Sequence, residues 1–193
     1  MDLVRCWETA DEGYLRYHDE EWGRPVRDEQ GVYERLCLEG FQSGLSWLTI
    51  LRKRPAFREA FGGFDPDLVA AFGEADVQRL LGDAGIVRHR GKIEAAIANA
   101  KATLALRETG EPLPRLFWGH APALTPAAPV SAADWRATTP ESSALSRELR
   151  AAGFRFVGPT TVYAAMQACG VVNDHLAVCW VREAVEKERL AVA

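Results

Sequence analysis

Apolar residues recur at helical spacing along almost the whole chain, and no run of alternating apolar and polar residues reads as a strand, so the pattern predicts an all-α protein. Asp28 stands as an N-cap before a stripe at Val32, Leu36 and Leu38 that stops at Gly40. The pattern then predicts a helix from Leu45 to Arg54, stopped by Pro55. Asp65-Pro66 is an N-cap with proline at the first helical position, and Val69 opens the apolar face of a short helix behind it. Another runs from Asp76 to Leu81 and ends in the Gly82 to Gly85 turn. Gly91 to Arg107 is long and alanine-rich, with Ile93, Ala96, Ile97 and Ala100 on one face, the pattern of a central packing helix. Pro112 to Pro129 is rich in Pro and Ala and reads as an irregular crossing pinned by Phe117 and Trp118. Helices resume at Glu141 to Ala152, Pro159 to Cys169 and Asn173 to Glu186.

A chain of 193 residues, 48% hydrophobic and 26% charged, can bury one good core. We expect a single domain over 1–193, divided at most into two helical lobes by an irregular crossing near 112–140. No charged-then-apolar leader opens the sequence, and no apolar run approaches the roughly 20 residues that span a bilayer. The expectation is a soluble cytoplasmic monomer with no membrane partner. The net charge of −4 argues against nonspecific coating of nucleic acid but leaves room for a local basic face. Arg52, Lys53 and Arg54 end a predicted helix, where cations complement the macrodipole. Arg88, His89, Arg90 and Lys92 begin one, where that explanation fails.

Without a secretory leader the four cysteines read as thiols or metal ligands. Cys37 and Cys169 lie in apolar helical contexts and belong to the core. His175 and Cys179 stand at i, i+4, so a helix there would aim both at one point, which is half of a tetrahedral zinc site. Cys6 and His18 offer the other half. Cys and His also fall at this spacing by chance, so the spacing leaves a metal site and a chance pairing open. If all four meet, a zinc clips the two ends of the chain together, and four protein ligands leave no position for substrate. Such a metal is structural, and the chemistry lies elsewhere.

Gly153 to Thr161 joins two predicted helices through a short turn with a glycine at each end. Such a turn can aim backbone N–H groups at a phosphate, with the Thr160 and Thr161 hydroxyls as further donors, although any short αα connection needs glycine. The first quarter of the chain is unusually aromatic, with Trp7, Tyr14, Tyr17, Trp22 and Trp47, and Glu39 between them. Aromatic faces stack on an unstacked base, and a carboxylate set against them suits a cationic or amino-bearing ring. Each ring taken singly is equally at home in a helical core. A carboxylate at a helix C-terminus is ordinarily a solvated surface group, yet Glu39 opposes the macrodipole there, which asks for another reason for its position.

Cys6-Trp7, Tyr17-His18-Asp19-Glu20-Glu21-Trp22-Gly23, Cys37-Leu38-Glu39-Gly40, Gly44-Leu45-Ser46-Trp47, the Asp83 to Ile93 run, Phe154-Arg155-Phe156-Val157-Gly158 and the Met166 to His175 run together resemble the DNA-3-methyladenine glycosylase I family, in order from Cys6 to about Cys179. The resemblance implies a helix-hairpin-helix DNA glycosylase whose terminal segments are clipped by one structural zinc. It puts Cys6, His18, His175 and Cys179 on the zinc ligands and Glu39 on the base-recognising carboxylate. Trp7, Tyr14, Tyr17, Trp22 and Trp47 fall on or near the base pocket. Gln42, Gly44 and Leu45 fall on the loop that enters the DNA stack, and Gly158, Thr160 and Thr161 on the hairpin. The implied partner is double-stranded DNA with alkylated bases, and the implied reaction is hydrolytic excision of 3-methyladenine in base excision repair. No lysine occupies the motif region where an imine-forming nucleophile would stand, so no lyase activity is expected. Asp174 lies roughly where the wider superfamily carries a water-activating aspartate. Because it adjoins His175, it reads instead as a helix cap or a partner of the zinc site.

Two other readings stand beside this one. A zinc base deaminase needs His-x-Glu with Pro-Cys-x-x-Cys, and neither appears. A zinc-stapled module that binds damaged DNA without turnover fits the same residues.

Overall fold

A computed structural model of the chain describes residues 3–192. Among these residues there are helices and turns but no strand. The order is α1 (Glu12–Glu20), α2 (Glu29–Gln42), α3 (Trp47–Ala60), α4 (Pro66–Ala70), α5 (Glu74–Gly82), α6 (Arg90–Glu108), α7 (Leu113–Gly119), α8 (Pro140–Ala151), α9 (Pro159–Ala168) and α10 (Arg182–Val192), with short 3-10 turns at Gly62–Phe64 and Ala132–Asp134. No helix among the described residues is long and apolar enough to cross a membrane.

The Asp28 carboxylate caps α2 by accepting from the Gly31 N–H. Nearly every residue from Val32 to Phe41 is buried, because α6, α9, α3 and α7 cover α2 from all sides. An axis enclosed in this way buries whatever it carries, Glu39 included. The Tyr33 hydroxyl donates to the Ala96 carbonyl and ties α2 to α6 at 2.8 Å. α8 and α9 pack against one another, and α9 lies along α2. A smaller apolar cluster of Cys6, Cys179, Val181 and Val185, with Trp7, Trp22, Trp135 and Leu176 against it, joins the N-terminal segment to the end of the chain.

Four expectations need correction. Pro55 does not stop α3, which continues to Ala60. Proline in a helix interior costs about 3 kcal/mol, but Pro55 faces solvent, and the turn after it buries Phe57 against Phe41 at 4.6 Å between centroids, worth about 1.5–3 kcal/mol. The Pro112–Pro129 crossing contains a helix, α7, in which Leu113 and Phe117 at i, i+4 are both fully buried. α1 went unread because its apolar face is made of Tyr14 and Tyr17 rather than aliphatic residues. The last helix begins at Arg182, not Asn173. The segment before it spends its backbone donors outward, Leu176 on the Cys6 sulfur, Ala177 on the Pro129 carbonyl and Trp180 on the Val4 carbonyl, so no i to i−4 ladder forms. His175 and Cys179 therefore meet across a turn, and Asp174 caps no helix.

Candidate functional site

The Cys6 and Cys179 sulfurs, His18 Nε2 and His175 Nδ1 are buried and lie within 4.8 Å of one another. Sulfur to nitrogen distances are 3.3 Å for Cys6 to His175, 3.5 Å for Cys179 to His18 and 3.5 Å for Cys179 to His175. A tetrahedral zinc with bonds of about 2.3 Å to sulfur and about 2.05 Å to nitrogen sets such pairs about 3.5 Å apart. The opposite nitrogens are also engaged: His18 Nδ1 lies 2.7 Å from the Asp19 carboxylate and His175 Nε2 lies 2.9 Å from the Trp22 carbonyl. This is the arrangement that fixes tautomer and ring orientation in metal-binding histidines. The Cys6 thiol, and after it both imidazoles, press Cys179 toward its thiolate, the form that ligates metal. Burial opposes ionisation of Asp19, but Arg5 and His18 hold its carboxyl below the usual range. The donor set, its spacing and its outer partners fit a zinc ion.

The residues next in sequence to these ligands face the other way. Trp7, Tyr14, Tyr17, Trp22 and Trp47 line a cleft of about 350 Å³ together with Glu39 and Gln42. Trp7 packs edge-on to His18 at 4.6 Å and to Trp22 at 5.1 Å, so the cleft and the metal cluster stand back to back. Tyr17 packs against Trp47 with ring centroids 5.2 Å apart. Glu39 is only 6% exposed, and no hydrogen bond within the described residues reaches its carboxylate. Desolvation alone pushes its pKa up to about 8. Burial, and then the charge of Glu39, push the Tyr14 and Tyr17 hydroxyls up as well. The indole N–H groups of Trp7 and Trp47 are buried without a partner. A cleft with stacking faces, an unengaged carboxyl and two idle donors is built for a flat, polar-edged guest.

Gln42 leads from the cleft into the loop between α2 and α3. The Leu45 N–H returns to the Gln42 carbonyl at 2.6 Å, with Ser43 at φ −45° and ψ 115° and Gly44 at φ +82°, a type II turn that favours glycine at its third position. Leu45 projects from this turn, 43% exposed. Buried Lys92 clamps the turn from beneath, its Nζ donating to the Phe41 carbonyl at 2.9 Å and the Ser43 carbonyl at 2.6 Å. Lys92 therefore serves the loop rather than an open basic face, and Arg90 is paired with Glu74 and Glu94. Arg54 lies inside α3 and pairs with Glu21, while Arg52 pairs with Asp11, so macrodipole complementation does not explain that cluster either. Arg88 remains exposed beside them.

Gly158 caps α9 and Pro159 is its first residue, leaving the N–H groups of exposed Thr160 and half-buried Thr161 at the start of the helix. Asn99 braces the turn before it, accepting from the Arg155 N–H at 2.7 Å and donating to its carbonyl at 3.2 Å. The Ser146 hydroxyl donates to the Val157 carbonyl at 2.6 Å.

The structure adds cleft residues that sequence reading missed: Trp135 and Arg136 near the end of the crossing, and Ala164 and Gln167 on α9. Trp135 lies 6.5 Å from Trp7 and 6.3 Å from Trp22, and its indole donates to the Asp174 carbonyl at 2.9 Å. A Trp-Arg pair inside a stretch of Ala, Ser and Thr was the available signal. The Asp174 carboxylate accepts from the Tyr163 hydroxyl and the Gln167 amide, both at 2.7 Å, which fixes Gln167 at the cleft wall.

Residues 7–183 match the methyladenine glycosylase family. The chain is similar to DNA-3-methyladenine glycosylase 1 of Escherichia coli (strain K12), with 49% identity over 181 residues, spanning 92% of this chain and 96% of that one. Its fold is similar to a crystal structure of 3-methyladenine DNA glycosylase I at TM-score 0.88 and 46% identity, covering 92% of this chain and 98% of the other. It is also similar to the 3-methyladenine DNA glycosylase I of Staphylococcus aureus, solved to explain 3-methyladenine recognition, at TM-score 0.86 and 35% identity over 90% of this chain and 93% of that one.

Proposed function

The chain belongs to the methyladenine glycosylase family, and on that premise we propose that it hydrolyses the N-glycosidic bond of 3-methyladenine in alkylated double-stranded DNA, as a monomeric cytoplasmic repair enzyme of one domain. The observation that carries this reading is the buried, unengaged Glu39 carboxyl in the wall of an aromatic cleft.

A nucleotide alkylated at N3 of adenine is cationic, so its base already leaves readily, and the protein's tasks are to extrude it, select it and hold it where departure is favoured. Leu45 fills the gap left in the stack, with Gln42 and Gly44 shaping the turn and Lys92 bracing it. The hairpin before α9, with Gly158, Thr160 and Thr161, grips a phosphate, although Pro159 withholds one of the donors such a helix start usually offers. The rings of Trp7, Tyr14, Tyr17, Trp22 and Trp47 enclose the base.

Glu39 supplies the selection. With its pKa near 8, the carboxyl is protonated in the empty cleft at neutral pH. A cationic base nearby favours the carboxylate, which then accepts hydrogen bonds from the amino edge. A neutral adenine offers no such charge and leaves the acid protonated. Cys6, His18, His175 and Cys179 hold one zinc ion per chain, and four protein ligands give it a structural role in which it clips the terminal segments. None of the described cleft residues is a lysine, which supports hydrolysis without an imine intermediate; a borohydride-trapped adduct with DNA would contradict it.

The test is release of free base from methylated duplex DNA, against a control without enzyme because the lesion also depurinates unaided. Wild type is expected to release 3-methyladenine well above the control. Glu39→Gln is expected to act roughly 10–100-fold more slowly, the value of a charged hydrogen bond at about 1.5–3 kcal/mol. No release from folded protein that still binds the DNA would make this a lesion-binding module.

A further inference from the structure

Resting on that reading, we propose that Arg136 is a phosphate-binding residue, gripping the strand that carries the extruded nucleotide at the rim of the cleft.

Arg136 is the cleft's cationic wall residue among those described, and it also lines a second groove of about 670 Å³ bordered by residues of the Pro122–Val130 segment. It is exposed, and the structure gives its guanidinium no hydrogen bond or ion pair among the described residues; Arg16, Arg88, Arg147, Arg150 and Arg155 are likewise unpaired, but none of them lines the cleft. Acidic groups in the groove do not claim it. Asp134 accepts from the Val130 and Ser131 N–H groups, and Asp174 accepts from Tyr163 and Gln167. Glu141 sits in the first turn of α8, where its charge complements the helix N-terminus.

The backbone that presents Arg136 is fixed on both sides. Before it, the Trp135 indole is bonded to Asp174. After it, Thr139 and Ser142 cap α8 reciprocally at 2.9 and 3.1 Å. The guanidinium thus projects from an anchored turn, and a planar fork suits a phosphate.

Its place completes a second grip on the strand. The cleft wall residues Ala164 and Gln167 lie along α9, whose first turn carries the hairpin. From Pro159 to Gln167 is eight residues, roughly 12 Å of helix, while one DNA strand carries a charge about every 3.4 Å of axis. In this assignment the hairpin and Arg136 grip two phosphates of that strand, one at the start of α9 and one at the cleft that α9 walls. For a chain of net charge −4, a cation placed there matters more than it would on a basic protein.

The test measures binding to a duplex holding a tetrahydrofuran abasic analogue across a series of salt concentrations, for wild type, Arg136→Gln and Arg136→Lys, together with binding of free 3-methyladenine by tryptophan fluorescence. Arg136→Gln is expected to lower the slope of log affinity against log salt by about one and to weaken duplex binding roughly tenfold at low salt. Affinity for the free base, which has no phosphate, falls by less than affinity for the duplex. Arg136→Lys keeps the slope and loses only part of the affinity. An unchanged slope in Arg136→Gln, or an equal loss of free-base affinity, overturns the assignment. Wild type that prefers the abasic duplex no more than intact duplex and releases no base overturns the glycosylase reading itself, and the assignment with it.

Discussion

Two constellations lie back to back in this molecule and are fed by neighbouring residues: Cys6 and His18 turn to the metal cluster, Trp7 and Tyr17 to the cleft. In the Cys6, His18, His175 and Cys179 cluster almost every polar atom is engaged. Both imidazoles are bonded on their far nitrogens, and the Cys6 sulfur receives the Leu176 N–H. In the cleft the reverse holds, since the Glu39 carboxyl and the Trp7 and Trp47 indoles have no partner. A buried polar group without a partner costs free energy, so a fold keeps it only where a guest completes it. Satisfied burial marks structure here, and unsatisfied burial marks function.

The comparison breaks if the metal takes part in chemistry. Cys179→Ala is expected to lose the metal and about 4 kcal/mol or more of stability, which for a chain of this size lowers Tm by roughly 10 °C. Elemental analysis should find about one zinc per wild-type chain and none in the variant. Base release per folded molecule should stay within about threefold. An intact Tm with abolished release would move the metal into the reaction.

The second prediction sharpens the other half. Glu39 has a folded pKa of about 8 against an ordinary value of 4.5. The folded state therefore holds a proton that the unfolded chain has released between those values. The stabilising effect is complete below pH 4.5 and is lost as pH rises to 8, at up to about 1.4 kcal/mol per unit. Glu39→Gln removes this titration. Melting curves at pH 5, 6.5 and 8 should show wild type falling relative to the variant, by a few kcal/mol at most. Parallel curves would mean that the carboxyl is already ionised, and that charge-dependent selection is wrong.

The legibility of the two regions differed for a physical reason. The juxtaposed Cys and His residues and the buried Glu39 are legible because Cys, His and an oddly charged helix end are chemically conspicuous in sequence. The helix expected to join His175 and Cys179 is absent, since they meet across a turn held by long-range backbone bonds that no periodicity reveals. The helical class, the starts of α2 and α4 and the bounds of α6 are readable because aliphatic stripes and caps are local. α1 and α7 were not, their buried faces being aromatic or behind prolines. Trp135, Arg136 and Gln167 reach the cleft from the far half of the chain, and only tertiary packing brings them there. The buried role of Lys92 likewise depended on where the turn after α2 came to lie.

The smallest effect is the most discriminating, because it touches one region through a residue outside both. Asp19 orients His18 from 2.7 Å and is itself held by Arg5, whose Nε and Nη2 lie 2.9 and 2.7 Å from its oxygens. Asp19→Asn keeps the shape but weakens the acceptor that fixes the His18 ring, and such outer partners typically change metal affinity by about 10–100-fold. Competition with a chromogenic chelator should show a loss in that range, while Tm in excess zinc and base release remain near wild type. His18 packs edge-on against Trp7 at 4.6 Å, so a metal site that also tuned the cleft would transmit the change. Slower base release at saturating zinc would show that coupling and end the separation of the two regions. Unchanged release would confine the work of Asp19 to holding the ends of the chain together.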